Sequence, residues 1–349
     1  MDIGSNNALR TPVTDVNLSL NQVYDLAFRV LTSNGMADEH ARAIARVITA
    51  GQRDECHSHG IYRLLVCVRS LREGKLVGDA VPRISEPTPA IVRVDAGFGY
   101  SQLAFELGSK ILVEKARVSG IAALVINNCF HFSALWPEVE ALAAEGLAAL
   151  AVTPSHSWVA PAGGTKPVFG TNPIAFAWPR PGTFPFVFDF ATSAIARGDI
   201  ELHRRAGKPL PPGWALDDEG QPTTDPAAAL KGAMLTFGGH KGSALSAMVE
   251  LLAGPLLGDL TSLASQQFDE GVGATPCHGE LVLAFDPGIF GGDRRAQGER
   301  YAEQMFDAIV GQGARLPSQR RFDARARSEA HGVHVPAQLH ADVLALIPG

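Results

Sequence analysis

Apolar residues recur at helical spacing in the first part of the chain. They fall every three or four positions over residues 17–34, where an asparagine or a serine can cap the helix that this spacing predicts. The pattern repeats over residues 38–50. A third helix is expected to carry the segment SHGIYR (residues 58–63) and to end near Gly74. The first part of the chain is therefore predicted to be an all-helical layer.

Alternating or uninterrupted apolar runs later in the chain predict strands. The expected strands cover residues 90–95, 120–127, 147–153, 174–178, 186–190 and 280–286. The expected helices among and after them cover residues 103–118, 139–145, 242–257, 298–311 and 336–346. A glycine-rich loop is predicted at residues 163–171 and a long irregular excursion at residues 209–225. This mixture of helices and strands indicates a fold of the α/β or α+β class.

Composition and charge narrow the classes of partner. The 349 residues leave room for two or three domains, and a net charge of −6 argues against nucleic acid or an anionic membrane as a main partner. The sequence has no run of about 18 apolar residues, and its N-terminus has no apolar core after a basic start. The four cysteines show no CxxC spacing, so we expect reduced thiols and a cytoplasmic location.

A glycine pair follows the first predicted strand. Gly97-x-Gly99 stands between a strand and a helix, where a dinucleotide-binding loop would be expected. Gln102 replaces the third glycine of that pattern, and no acidic residue closes a second strand about 20 residues later. We interpret the pair as a turn, and we expect any nicotinamide cofactor to bind outside a Rossmann fold.

The segment SHGIYR concentrates chemically active side chains in an otherwise apolar region. On a helix, His59 and Arg63 would stand four positions apart and share one face. The planar guanidinium of Arg63 matches the two oxygens of a carboxylate, and His59 could then give or take a proton one or two atoms away. The alternative is a capped helix with an exposed histidine and a surface arginine.

Further polar groups stand where predicted strands end. His131 and Ser133 follow one buried strand, and Asp189 follows another. Loop residues at such positions commonly face a ligand, and an aspartate there can orient a histidine. Each also has a structural alternative, because a satisfied buried histidine or a helix N-cap explains it equally well.

Glycine-rich and basic segments suggest contacts with anions. His240 and Lys241 follow two glycines at a predicted helix start, and free amides with a lysine form an anion site there. The loop at residues 162–173 offers backbone amides and a hydroxyl, either for substrate contact or for structure alone. The basic run at residues 315–321 could pair with cofactor phosphates, although a solvated basic face is its ordinary explanation.

Six segments, taken in chain order, resemble one family. They are SHGIYR, NNCFHFSAL, GTNPIAF, DFATS, GHKGSAL and RLPSQRR, and the resemblance covers roughly residues 18–336. The family is malate/L-lactate dehydrogenase type 2, which is distinct from the Rossmann lactate and malate dehydrogenases. The stretch HFSALW and the glycine-rich loop are most similar to its cyclic imine reductases. The resemblance implies a non-Rossmann, mixed, largely antiparallel sheet flanked by helices, an N-terminal helical layer, and a homodimer with the active site near the subunit interface.

The resemblance also implies an activity. It is the NADPH-dependent reduction of Δ1-piperideine-2-carboxylate and Δ1-pyrroline-2-carboxylate to L-pipecolate and L-proline, with NADPH favoured over NADH. Arg63 and Thr171 would bind the substrate, and the catalytic residues would be Ser58, His59 and Asp189. The residues expected to bind the cofactor are His131, Phe132, Ser133, Ala134, Leu135, Asp189, Phe190, Ala191, His240, Lys241, Ser318, Arg320 and Arg321.

The same reading divides the chain into four parts. Residues 15–85 would form a helical region for substrate binding and dimerisation, and residues 86–125 would link it to the rest. Residues 126–310 would bind NADPH. Residues 311–349 would return to the N-terminal region.

Other activities fit some of the same residues. The same histidine and arginine would serve an NAD(P)-dependent 2-hydroxy acid dehydrogenase of the malate, lactate or ureidoglycolate type. A hydrolase using Ser58, His59 and Asp189 lacks a G-x-S-x-G elbow, and adjacent side chains on a helix point about 100° apart. A metal on His57, His59 and His131 lacks a supporting carboxylate motif, so no metal is expected. A non-catalytic binding protein would leave the many polar strand ends unexplained.

Overall fold

A seven-stranded sheet lies at the centre of the molecule. The computed structural model describes residues 15–348. The strands of the sheet, in their order across it, are β2 (Arg83–Thr88), β3 (Ile91–Asp95), β4 (Ile121–Phe130), β12 (Cys277–Phe285), β5 (Ala148–Val152), β7 (Ile174–Trp178) and β8 (Phe186–Phe190). Neighbouring strands are antiparallel except β3 and β4, which are parallel. The predicted mixed, largely antiparallel, non-Rossmann sheet is thereby confirmed.

Shorter strands form two further sheets. They are β1 (Val16–Leu18), β6 (Val159–Ala160), β9 (Ala215–Leu216), β10 (Pro222–Thr223), β11 (Ala233–Leu235) and β13 (Val333–Val335). Strands β10, β9, β11 and β6 form a four-stranded sheet, so the predicted irregular excursion at residues 209–225 contains two short strands. Strands β1 and β13 pair antiparallel, which joins the first described residues to the last part of the chain.

Thirteen helices surround the sheets within residues 15–348. They are α1 (Leu20–Ser33), α2 (Asp38–Arg53), α3 (Leu64–Arg72), α4 (Ser101–Ser119), α5 (Trp136–Ala144), α6 (Arg197–Arg205), α7 (Pro226–Lys231), α8 (His240–Ala253), α9 (Ser262–Asp269), α10 (Pro287–Gly291), α11 (Arg295–Val310), α12 (Gln319–His331) and α13 (Ala337–Leu344). Helix α12, which contains the end of the basic run at residues 315–321, is not among the predicted helices. In the described part of the chain no single helix is long and apolar enough to span a membrane, although α8 with its following turn and α9 meet that test as a pair bent by 69°.

Both faces of the sheet are buried at its centre, because its middle strands are apolar at successive positions. Leu124 and Ile126 of β4 belong to the core that contains the apolar residues of α4 and α5. Val125 between them belongs to a second core, with Val249 of α8. Successive side chains of a strand point to opposite faces. Strand β4 therefore runs between two layers of helices and carries its C-terminal residues toward the candidate site.

The N-terminal layer is not entirely helical. Helices α1, α2 and α3 share a core with β1, β13 and α13, so the prediction of an all-helical layer is wrong at its first strand. A three-residue strand carries too little periodicity to be seen in a sequence, and its partner lies more than 300 residues away. The last part of the chain consequently completes the core of the first part.

The segment SHGIYR does not continue as an α-helix. Two 3₁₀ turns, His57–His59 and Ile61–Arg63, lead into α3, and Gly60 between them has a non-helical backbone with φ −90° and ψ −144°. A side chain on Gly60 would clash with Gln52 of α2, whose Oε1 accepts a hydrogen bond from the Ile61 amide at 3.3 Å. Close packing against α2 therefore bends the segment, and the expected i, i+4 relation of His59 and Arg63 on one helix is wrong.

Candidate active site

Ser58 and His59 form the centre of the candidate active site. The Ser58 hydroxyl lies 3.1 Å from Nδ1 of His59, which leaves Nε2 as the nitrogen that faces away from Ser58. Burial and, to a smaller extent, the positive charge of Arg63 together lower the pKa of His59 to about 3. The imidazole is therefore neutral at neutral pH. The 3₁₀ turn brings the two adjacent side chains into contact, so the expected divergence of about 100° on a helix is wrong.

Arg63 offers a guanidinium that is not fully satisfied within the chain. Its Nε is buried and has no hydrogen-bond partner among the residues that the structure describes. Burial lowers the pKa of Arg63, but a guanidinium keeps its charge because its ordinary pKa is above 12. A buried cation of this kind suits an anionic ligand.

Helix α6 closes the site on another side. A side chain on Gly198 would place its Cβ 3.4 Å from that of Ser58 and 3.6 Å from Nη2 of Arg63. The next residue, Asp199, lies in the first turn of the helix. Its charge acts on the pKa of Arg63 against the larger effect of burial. Sequence reasoning missed Asp199 because this helix, RGDIELHRR, has no apolar stripe and follows no predicted strand.

Asp189 has a different role from the one predicted for it. Its Oδ2 accepts hydrogen bonds from the amides of Leu135 at 2.8 Å and Trp136 at 2.9 Å, which begin α5. Within residues 15–348 it makes no hydrogen bond to His59, so the expectation that Asp189 orients that histidine is not met by the geometry. Asp189 instead caps α5. Burial raises its pKa to about 6, although the two amide hydrogen bonds oppose that rise.

The same aspartate joins two of the predicted cofactor segments. Through Asp189, the segment from His131 to Leu135 meets the segment from Asp189 to Ala191. The ring of Phe190 lies 5.7 Å from that of Phe237, just before the glycines that precede His240 and Lys241. Three of the four predicted cofactor segments therefore meet beyond the end of β8, although they are far apart in sequence.

Side-chain exposure differs among these residues. Phe132 and Leu135 are 4% and 0% exposed and belong to the hydrophobic cores, so only their backbone atoms remain for a cofactor. Ala134 and Ala191 are half-buried, and Phe190, His240 and Lys241 are exposed. Ser133 is buried and accepts a hydrogen bond from Nε2 of Gln102 at 2.9 Å. Gln102, which occupied the third position of the rejected glycine motif, thus supports this segment.

Hydrogen bonds join the backbone of Thr171 to the loop that follows β8. Its carbonyl accepts hydrogen bonds from the Thr192 amide at 2.8 Å and from the Thr192 hydroxyl at 3.1 Å. The neighbouring Asn172 has a positive φ of 41° and donates from Nδ2 to Oε1 of Glu250 at 2.8 Å. Buried Glu250 therefore fixes the backbone on which Thr171 sits.

The late basic segment divides into paired and free arginines. Arg321 is 8% exposed, lies over the ring of Trp136 at 4.1 Å, and forms ion pairs with Asp54 at 2.9 Å and Glu140 at 3.0 Å. The charge of Arg321 is therefore already neutralised within the chain, and its predicted contact with the cofactor stays a prediction. Ser318, with a positive φ of 64°, precedes α12 and accepts a hydrogen bond from Arg321 at 3.3 Å.

A groove of about 890 Å³ lies beside this segment. Residues 54–56 line one side of it, and residues from 315 to 327 line the other. Arg315 and Arg320 point exposed guanidinium groups there, and neither forms an ion pair within the described part of the chain. Two free cations and the start of the 13-residue helix α12 suit the phosphates of a dinucleotide.

The competing sites are less well formed. His57 is exposed, whereas His131 is 5% exposed, and the described group with metal-like spacing joins His131 to Glu138 and Glu280 instead of to His57 and His59. For the hydrolase, Ser58 does touch His59, but Asp189 is engaged by α5. The arrangement therefore favours binding of an anion beside a neutral histidine.

Comparisons with known proteins identify relatives over nearly the whole chain. The family model described as malate/L-lactate dehydrogenase matches residues 18–344. Delta(1)-pyrroline-2-carboxylate reductase 2 of Burkholderia multivorans is 68% identical over 96% of this chain and 99% of its own length. A Delta(1)-pyrroline-2-carboxylate/Delta(1)-piperideine-2-carboxylate reductase of Pseudomonas aeruginosa is 59% identical over 95% of this chain and 99% of its own.

A solved structure gives the same result. The crystal structure of delta1-piperideine-2-carboxylate reductase from Pseudomonas syringae pvar. tomato is 42% identical, with a TM-score of 0.88, and the match covers 95% of this chain and 99% of that one. The resemblance predicted from six short motifs is thereby confirmed. The chain belongs to the malate/L-lactate dehydrogenase family.

Proposed function

We propose that this protein reduces the C=N bond of Δ1-pyrroline-2-carboxylate and Δ1-piperideine-2-carboxylate, with NADPH as the hydride donor and L-proline and L-pipecolate as products. The observation that carries the proposal is the partly unsatisfied guanidinium of Arg63 beside the neutral imidazole of His59. A relative named for Δ1-pyrroline-2-carboxylate is 68% identical to the chain, and a relative named for both substrates is 59% identical. In a cyclic imine with a 2-carboxylate, the carboxylate is bonded directly to the carbon that receives the hydride, and that carbon is bonded to the ring nitrogen.

Arg63 and His59 then divide the work on the substrate. Arg63 binds the carboxylate through two hydrogen bonds, and Thr171 supplies a further contact. His59 accepts a hydrogen bond from the Ser58 hydroxyl at Nδ1 and presents its Nε2 proton to the imine nitrogen. For each hydride that would reach carbon, one proton leaves Nε2 and one returns to Nδ1 from solvent through Ser58, so the imidazole ends neutral. A bound carboxylate offsets the charge of Arg63, which raises the proton affinity of His59 when the substrate arrives.

The cofactor is proposed to bind across the converging loops. Arg315, Arg320 and the start of α12 would hold phosphates, and the backbone of residues 131–135 and 189–191 would line the remaining length. NADPH supplies the hydride when it is bound. Two free arginines in the groove favour NADPH over NADH, because the additional phosphate carries additional negative charge.

A homodimer and a cytoplasmic location complete the proposal. Leu251, Leu256 and Leu263 are 62%, 65% and 45% exposed on α8, the turn after it and α9, and contact with a second copy would bury such apolar side chains. All four cysteines are free thiols, which is typical of a reducing compartment.

The test follows NADPH oxidation by absorbance with four substrates. They are Δ1-pyrroline-2-carboxylate, Δ1-piperideine-2-carboxylate, pyruvate and oxaloacetate, each repeated with NADH. We expect fast turnover of the two imines, little turnover of the oxo acids, and a higher kcat/KM with NADPH. If the oxo acids were turned over faster than the imines, the family assignment would stand, but the activity would be that of a 2-hydroxy acid dehydrogenase.

Two histidine variants provide a matched control in the same assay. His59→Ala is expected to lose turnover while it keeps NADPH affinity, measured by fluorescence. His57→Ala removes an exposed imidazole two positions away and is expected to behave like the wild-type protein. Equal activity of both variants would exclude His59 as the proton donor.

A further inference from the structure

Two buried carboxyl groups lie behind His131, outside the site described above. Glu138 in the first turn of α5 is 2% exposed, and Glu280 in β12 is 0% exposed. Side-chain atoms of Glu138, Glu280 and His131 lie within 4.8 Å of one another. Nε2 of His131 is 3.9 Å from Oε2 of Glu280.

These carboxyl groups lack the partners that buried charges require. Both oxygens of Glu280 and Oε2 of Glu138 are buried without a hydrogen bond of ordinary geometry to any described residue, and the nearby Ser101 hydroxyl only partly opposes the effect of burial on the pKa of Glu280. No lysine or arginine within residues 15–348 forms a salt bridge with either group. Two adjacent carboxylates without a counter-charge cannot both stay ionised in such an environment, and one of them keeps a proton.

Arg63 adds a positive charge near His131, but its effect on the pKa of His131 is smaller than that of burial, and it forms no salt bridge with either carboxyl group. Burial lowers the pKa of His131 well below its usual value and that of His278, whose ring lies 6.3 Å away, to about 4, so both are neutral. Burial also raises the pKa of the Cys129 thiol well above its usual range. Asp189 contributes only negative charge, which adds to the effects of burial and of Glu280 in raising the pKa of Glu138.

We propose that Glu138 and Glu280 are both protonated below neutral pH and share one proton above it, and that the negative charge gained in between weakens cofactor binding behind His131. The second half of this inference rests on the proposed function, since it needs the cofactor beside residues 131–135. Burial raises the pKa of Glu280 to about 7, which places the loss of the first proton near neutrality, while burial holds the pKa of Glu138 well above its usual range.

The first experiment measures the proton without any cofactor. A folded-state pKa raised above the unfolded value stabilises the protein at low pH, and this contribution is lost as pH rises through about 7. The contribution of the pair to the wild-type Tm should therefore fall between pH 5 and 8, against an opposite contribution of the buried neutral histidines that the variants share. Glu280→Gln and Glu138→Gln each place an amide donor where the proton lies, so each should reduce the fall by about 2–4 °C. Asp189 titrates in the same direction in all three proteins and cancels in the difference.

A control and a spectrum complete this experiment. Glu219→Gln changes an exposed glutamate and should leave the wild-type pH profile intact. Infrared difference spectra across the same pH range should show a protonated-carboxyl band in addition to that of Asp189, and both buried variants should lack this additional band. An unchanged pH profile of Tm in both variants, or no such additional band, would overturn the shared proton.

The second experiment tests the effect on the cofactor. The KM for NADPH of the wild-type enzyme should rise by about two- to ten-fold from pH 6 to 8, and kcat at saturating NADPH should change equally in wild type and variants. The rise in KM should be smaller in Glu280→Gln and unchanged in Glu219→Gln. A shared proton in the first experiment with identical KM profiles here would refute only the link to the cofactor.

Metal analysis tests whether a bound metal ion, and not a shared proton, neutralises the two carboxyl groups. The purified protein should contain no stoichiometric divalent ion, and a chelator should leave its Tm unchanged. One bound ion per chain that disappears in Glu280→Gln would overturn the proposal, because the cation would then neutralise the pair.

Discussion

A guanidinium nitrogen that is buried without a hydrogen-bond partner costs free energy, and Nε of the half-buried Arg63 is in this situation. Its Nε has no hydrogen-bond partner among the described residues, while Gly198 leaves open the space beside its Nη2. Such a cost is retained where a ligand offsets it. The residue therefore identifies an anion as part of the substrate more directly than His59 does, because a neutral imidazole fits many reactions.

Arg63→Lys tests this role of the guanidinium. An ammonium cannot make two parallel hydrogen bonds to a carboxylate, so we expect KM for the imine to rise by about ten- to hundred-fold, equivalent to about 1.5–3 kcal/mol. The value of kcat should fall much less, since His59 is unchanged. Steady-state kinetics with Δ1-pyrroline-2-carboxylate measures both. Arg69→Lys, an exposed arginine of α3, is the matched control. An unaltered KM in Arg63→Lys would remove Arg63 from the carboxylate site.

Elements with strong apolar patterns could be predicted from the sequence, and polar elements could not. Strands β4, β5, β7, β8 and β12 are predictable because they are buried and read as apolar runs. Helices α6 and α12 lack an apolar stripe, and ion pairs hold α12 in place. A periodicity argument depends on one buried face, so it has nothing to detect in such helices.

Residues of the candidate site could be predicted where they form sequence motifs. Their geometry could not be predicted where it depends on packing between distant elements. SHGIYR and its Ser58–His59 pair could be found in sequence, but the turn at Gly60 depends on Gln52 of another helix. The role of Asp189 depends on the position of α5, which no local pattern reveals. The sequence does indicate that Glu280 is unusual, because it is the one acidic residue in the largely buried strand CHGELVLAF.

Asp189 variants separate capping from catalysis at the scale of an element. Asp189→Ala removes the acceptor of two amide hydrogen bonds at the start of α5, so we expect a loss of about 1–3 kcal/mol in the free energy of unfolding. Asp189→Asn keeps an oxygen acceptor and should lose less than half as much, with kcat within about ten-fold of wild type. Urea titration and steady-state kinetics are the measurements, and Asp218→Ala, an exposed aspartate, is the control. A loss of turnover in Asp189→Asn as large as in His59→Ala would restore the orienting role.

At the scale of the whole molecule, the C-terminal part of the chain is tied to the N-terminal layer by charge. The side chain of Asp54, which follows α2, is 0% exposed and pairs with Arg321 and Arg325 of α12 at 2.9 Å and 2.7 Å. Both arginines also pair with Glu140 of α5. Helices from three distant parts of the chain thus meet at one cluster, next to the groove proposed for the cofactor phosphates.

Removal of Asp54 should therefore destabilise the molecule as a whole. Asp54→Asn leaves Arg53, Arg321 and Arg325 short of a carboxylate, which costs about 3–5 kcal/mol in a buried cluster. Glu55→Gln breaks the neighbouring exposed pair with Arg327 and should cost less than about 1 kcal/mol. Urea titration at pH 7 measures both losses. Equal losses in the two variants would mean that burial of the Asp54 cluster adds nothing to the free energy of unfolding.

The same cluster predicts how stability changes at acidic pH. Burial alone would raise the pKa of Asp54, but its hydrogen bonds to Arg325 and Arg53 outweigh burial and lower it below the usual 3.8. Its contribution is therefore present above about pH 4 and is lost as pH falls through the lowered pKa. The Tm difference between wild type and Asp54→Asn should shrink below pH 4, because protonation of Asp54 imitates the substitution. A difference that stays constant from pH 7 to pH 3 would show that Asp54 stabilises by its shape and not by its charge.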